Sequence, residues 1–78
     1  MNDKLRTAAR LLARYSYNMG ENIANADNYE FWHAKYMGAR YMLFALTGLD
    51  GTTIGNEDNE VIVMLSDDSN HYTFDFKF

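Results

Sequence analysis

Imidazole is the side-chain type best suited to acid–base or metal chemistry at physiological pH, and the chain has two, His33 and His71, from which such chemistry would start. They fall in separate predicted elements. Neither has a His-Glu-x-x-His arrangement around it, and the chain has no cysteine to complete a zinc set. Acyl transfer needs a nucleophile beside a base, but the serines at 16, 66 and 69 sit in a helix face and a turn, outside any nucleophile-elbow setting.

Glycines and carboxylates fare no better. Gly48, Gly51 and Gly55 have no lysine after them, which fails both the dinucleotide fingerprint and the phosphate-binding loop. A calcium loop starting at Asp50 would need oxygen ligands at 52 and 54 and a glutamate at 61, where Thr52, Ile54 and Val61 stand. Asn56, Asp58 and Glu60 could meet a divalent ion with Asp67 or Asp68, but a solvated acidic loop accounts for them more simply. Paired carboxylates doing acid–base work need a pocket that perturbs them, and a domain of 78 residues rarely encloses one alone. The expectation is a non-enzymatic protein without cofactor or metal.

Two charged surfaces remain. Asp50, Glu57, Asp58, Glu60, Asp67 and Asp68 follow one another with no Lys or Arg between them. Such a surface attracts basic partners, and proteins that grip nucleic acid carry Lys/Arg channels that an acidic body can occupy in place of phosphate. The opposite surface is the first helix. Residues 1–20 hold Lys4, Arg6, Arg10 and Arg14 against Asp3 alone, while the remainder holds ten carboxylates against Lys35, Arg40 and Lys77. Arg6, Arg10 and Arg14 at i, i+4 spacing could straddle phosphates, with Tyr17 beside them to stack on a base. Against that stands a net charge of −4, so pairing with carboxylates is the simpler role for the arginines, and direct nucleic-acid binding is the weaker alternative.

These residues must be positioned by few elements. Leu5, Ala8, Ala9, Leu12, Ser16, Met19 and Ile23 recur at spacings of three and four and predict an amphipathic first helix ending near Asn25. Asp27 followed by Glu30 resembles a capping box, predicting a second helix from Asn28 or Tyr29 to Thr47, closed by Gly48 in a left-handed C-cap. That helix is apolar almost all round. Trp32, Tyr36, Ala39, Leu43 and Leu46 line one face, and Phe31, Ala34, Gly38, Tyr41, Met42 and Ala45 line nearly the opposite one. Helices of this kind are normally covered on both sides, and the small residues would let another backbone approach.

Residues 48–60 read mainly as loop, with a short extended piece at Thr52 to Ile54. Glu60 to Leu65 and His71 to Lys77 are rich in β-branched and aromatic residues around a polar turn, which predicts a hairpin. Tyr72, Phe74, Phe76 and Phe78 should face inward, and the apolar Ile62 and Met64 imply that the sheet's second face is covered as well. A lone hairpin leaves its edges unpaired; the 52–54 piece, a second subunit or another protein could add a strand.

The fold class expected is α+β, one domain over residues 1–78: two antiparallel helices, then a C-terminal β-hairpin packed on the second helix, with room for a third short strand. Leu12, Met19, Trp32, Ala39, Leu43, Phe74 and Phe76 are the expected core. The first residues lack a signal-peptide pattern and no run is long enough to span a membrane, so a soluble cytoplasmic protein is expected. Function is expected to be protein interaction, by a small acidic inhibitor or adaptor on a basic, nucleic-acid-handling protein, as in phage or mobile-element factors of the anti-CRISPR or anti-restriction type. The alternative is an obligate homo-oligomer, at its simplest a homodimer, with a structural or nucleic-acid accessory role for the basic helix. A ligand site between Trp32, Tyr36 and the Tyr72 to Phe78 face is a third reading.

Overall fold

The computed structural model describes residues 2–55 and 58–78. Helix α1 spans Asn2–Glu21 and α2 spans Ala26–Thr47; strands β1 (Asp50–Gly55), β2 (Glu60–Ser66) and β3 (His71–Lys77) follow. The strands form one antiparallel sheet in the order β1-β2-β3. No helix among the described residues is long and apolar enough to cross a membrane.

Side chains of the asparagine-rich turn decide where the helices stop and start. Asn22 Nδ2 donates to the Asn18 carbonyl at 2.8 Å, satisfying an orphan acceptor at the end of α1. Asn25, extended at φ −120°, accepts from the Asn28 backbone N–H at 3.1 Å and caps α2. The cap is therefore Asn25 rather than Asp27, and α2 begins two residues before the predicted Asn28. Asp27 lies instead in the first turn, where a carboxylate meets the positive helix end. At the far end the expected cap is present: Gly48 takes φ 76° and donates its N–H to the Phe44 carbonyl at 2.8 Å. Thr47 then steers the chain into β1, its hydroxyl donating to Leu43 O and accepting from Leu49 N.

β1 is a six-residue strand where mainly loop was expected. It pairs along its whole length with β2, from Asp50 opposite Ser66 to Gly55 opposite Val61. Glycine and threonine suit this strand because it runs close beneath α1. A Cβ added to Gly51 would lie 3.0 Å from Leu12 Cδ1 and 3.1 Å from Leu65 Cδ2. Two positions on, Thr53 Oγ1 lies 2.9 Å from Ser16 Oγ and 3.2 Å from Tyr36 Oη, tying α1, β1 and α2 together. One hydroxyl proton serves one acceptor, so Ser16 or Tyr36 must donate back to Thr53.

The core lies between α1 and the sheet. Ala9, Leu12 and Ala13 meet Val61, Val63, Leu65 and Phe76, with Leu43 and Leu49 closing one side. The sheet thus rests on α1, which touches all three strands, whereas the hairpin was expected on the second helix; α2 reaches the sheet only at β1. Leu12, Leu43 and Phe76 are buried as expected, but Met19, Trp32, Ala39 and Phe74 are half-buried. Marginal position explains this: Met19 lies near the end of α1, Trp32 and Ala39 belong to the outlying helix, and Phe74 sits on the edge strand β3. Ile23, expected in the apolar stripe, is 76% exposed because α1 ends before it.

Among the described residues, none of the helices packs on the second face of the sheet. Ile62 and Met64 there are half-buried by their neighbours within the sheet, and Ile54, opposite Ile62, is exposed.

Candidate interaction surfaces

The acidic residues do not form one surface. Asp50, Asp67 and Asp68 gather at one end of the sheet, around a shallow depression completed by Phe44, Gly48 and Ser66. Asp58 and Glu60 lie at the other end, where β2 begins, roughly 20 Å away at the rise of an extended strand. Glu57, and Asn56 with it, lie outside the described residues.

Within the first group the three carboxylates differ. Asp50 is held by Arg40, whose Nε and Nη2 donate to Oδ1 at 3.2 and 3.0 Å. Both partners are solvent-accessible, so this pair contributes at most about 1 kcal/mol. Asp67 organises the β2–β3 turn: Oδ1 accepts the backbone N–H groups of Ser69 at 2.8 Å and Asn70 at 2.7 Å, and the Asn70 amide adds contacts to both oxygens. Those donors, Ser69 first, hold its carboxyl below the ordinary carboxylate value. Asp68 is exposed and makes no contact of this kind among the described residues. One carboxylate of the three is thus uncommitted.

The basic face is also partly spent inside the molecule. Arg6 lies over the Phe76 ring at 5.0 Å and Arg14 over the Phe78 ring at 4.8 Å. Tyr17 is half-buried and stacked on Phe78, centroids 5.1 Å apart, so the ring expected to offer itself to a base already has a partner. The cause is β3, which runs along this flank of α1 and brings its aromatic side chains under the arginine stems. Lys4, Arg10 and Arg14 line a shallow depression floored by Leu11, Ala8 and Thr7. Arginine–ring contacts of this exposed kind contribute about 0.5–1 kcal/mol each.

The third reading requires α2 and β3 to meet, and they do not. Trp32 packs instead on Tyr15 and Phe31, at 6.0 and 5.0 Å between ring centroids. His33 stacks on Tyr29 and His71 lies near Thr73. No group of three or more His, Cys, Asp or Glu side chains suited to a metal ion occurs among the described residues.

A further unaccounted surface is the outer side of α2. At about 100° per residue, Phe31, Ala34, Gly38, Tyr41, Met42 and Ala45 project within roughly 60° of one direction, opposite Leu43 and Tyr36. All six are exposed: Phe31 by 54%, Tyr41 by 65% and Met42 by 60%. Covering by neighbours on both sides was expected, but α1 and β1 take only the inner side. Gly38 sharpens the point. A glycine in a helix interior costs about 1 kcal/mol relative to alanine, and among the described residues, its own turn of helix aside, nothing lies within 4 Å of where its Cβ would be. The fold of one chain gives no reason for glycine there.

No protein-family model, curated protein or solved structure matches this chain.

Proposed function

We propose that this chain is a non-enzymatic protein-interaction module, an inhibitor or adaptor in kind, whose activity is association with other polypeptide surfaces. One observation carries the reading: a continuous apolar stripe on α2 stands in water, on the side opposite its packed face. Contiguous exposed apolar surface of this kind marks contact sites, since each Å² removed from water is worth about 25 cal/mol.

The charge distribution supports a basic external partner. A net charge of −4 favours approach to Lys/Arg-rich surfaces, such as the channels of nucleic-acid-handling proteins. The sheet end carrying Asp50, Asp67 and Asp68, with exposed Phe44 beside it, is the part of the acidic body best suited to receive one. Its carboxylates steer and orient a partner; apolar contact supplies the holding energy.

Affinity capture under nuclease treatment tests the proposal with three baits: the natural chain, a Tyr41→Lys/Met42→Glu variant of the α2 stripe, and a Ser66→Lys/Asp68→Lys variant of the acidic end. Circular dichroism establishes that each is folded. A polypeptide recovered by the natural chain, whether a second copy or another protein, should fall at least tenfold with one variant. Identical recovery by all three baits, or none by any, overturns the reading.

A further inference from the structure

We infer that the α2 stripe is covered by a second copy of this chain, the two α2 helices packing antiparallel across a two-fold axis at Gly38. The inference rests on the interaction-module reading and names the occupant of its main surface. Three observations carry it.

The first is self-complementarity. In an antiparallel pair centred on Gly38, the residues at one level have numbers adding to 76, so Phe31 comes level with Ala45 of the partner and Met42 with Ala34. Two of the three bulky residues thus meet a small one, and by symmetry each match occurs twice. Tyr41 comes level with Lys35, a residue whose ammonium already lies 5.0 Å from the Phe31 ring and whose stem can pack on an aromatic side chain. A parallel pair would set Phe31 on Phe31 and Tyr41 on Tyr41, with the helix dipoles aligned unfavourably.

The second is Gly38 itself. It is exposed near the centre of a 22-residue helix and unexplained by any contact among the described residues, yet it stands where the symmetry brings the two backbones closest.

The third is area. The exposed parts of Phe31, Tyr41 and Met42, with Ala34 and Ala45, amount to on the order of 450 Å² per chain, using about 200 Å² for a large side chain. That lies below the roughly 600–1,000 Å² per partner of stable interfaces and in the range of weak, concentration-dependent ones. Such a pair would leave the two acidic sheet ends, each beside the C-terminus of its own α2, at opposite ends of the assembly.

Sedimentation equilibrium on the full chain tests this from about 1 μM to about 1 mM, the range in which weak self-association is read. The expected result is reversible conversion to twice the 9.0 kDa chain mass. Gly38→Leu should weaken that association at least tenfold, while leaving the melting temperature of the dilute monomer unchanged or higher, because the position is open. Register is read by oxidation, since the natural chain has no cysteine. Gly38→Cys should form a dimer disulfide; Phe31→Cys should not do so alone, but should cross-link with Ala45→Cys.

A dimer indifferent to Gly38→Leu, or one that cross-links through Phe31→Cys alone, overturns the inference. A chain that stays monomeric yet captures another protein through the same stripe also overturns it, and leaves the interaction-module reading standing. A monomer that captures nothing removes both.

Discussion

α1 and α2 are nearly equal in length, 20 and 22 residues, yet they stand in opposite relations to the rest of the molecule. α1 lies across all three strands and buries Ala9, Leu12 and Ala13; among the described residues α2 packs on α1 and β1 and buries Leu43 alone. The difference follows from their patterns. One apolar stripe with arginines beyond it specifies one way to pack, and α1 takes it. A helix apolar on two opposite sides carries more surface than this small sheet can cover, and its second side is left for something outside the chain.

The comparison breaks first if the energetic centre is misplaced. Leu12, 1% exposed between α1 and the sheet, should cost about 3 kcal/mol when truncated to alanine, through lost transfer energy and the cavity left behind. Urea unfolding monitored by circular dichroism gives the value, and a loss below about 1 kcal/mol would move the centre elsewhere. Crowding the same contact from the strand side is next in size: Gly51→Val should cost about 2 kcal/mol, since its first new carbon already presses on Leu12 and Leu65. Wild-type stability in that variant means β1 can retreat from α1.

Trp32→Ala should cost less than Leu12→Ala, about 1–2 kcal/mol, although a tryptophan is far larger. Its ring rests on Tyr15 and Phe31 with one side in water. From sequence alone it ranks with the core residues, because side-chain size and helical spacing reveal which face it shares and not how much covers that face. A greater loss for Trp32 than for Leu12 would reverse the order of the two helices.

The same limit separates what was legible from what was not. The αL cap at Gly48, the hairpin strands and the inward alternation of Val61, Val63 and Leu65 are local: each is written in a turn residue or a period of two, and each is found in the structure. β1 was legible only in part because its glycines and threonines carry no strand pattern; what makes it a strand is a free β2 edge and the clearance beneath Leu12. The acidic residues looked contiguous because the chain places them close in number, while the strands between them carry Asp58 and Glu60 to the end opposite Asp67 and Asp68. Tyr17 looked available for the same reason: no feature of the first helix announces that Phe78 will return to stack on it.

Charging the outer stripe sharpens the contrast between the helices from the other side. Tyr41→Lys/Met42→Glu should change the unfolding free energy by no more than about 0.5 kcal/mol in dilute solution, because both side chains already stand mostly in water. At high protein concentration the natural chain should gain a melting temperature advantage over the variant, since a partner that binds only the folded state adds to its stability by mass action. A large loss in dilute solution would mean that the stripe stabilises the single chain.

The smallest effect lies farthest from both helices, in the turn that Asp67 closes. Its carboxylate accepts from the Ser69 and Asn70 backbones, which lowers its pKa in the folded state below the ordinary 3.8. A depressed folded-state value means that the charged form favours folding, so the contribution is present above the unfolded value and is lost as the pH falls through the folded one. Asp67→Asn keeps an oxygen for the two N–H groups but not the charge. Its melting temperature should therefore sit slightly below that of the natural chain at neutral pH, and the gap should close as the pH falls below 3.8. Thermal melts across that range decide the matter: a gap independent of pH would assign the turn's stability to hydrogen-bond geometry alone, with no part for the charge.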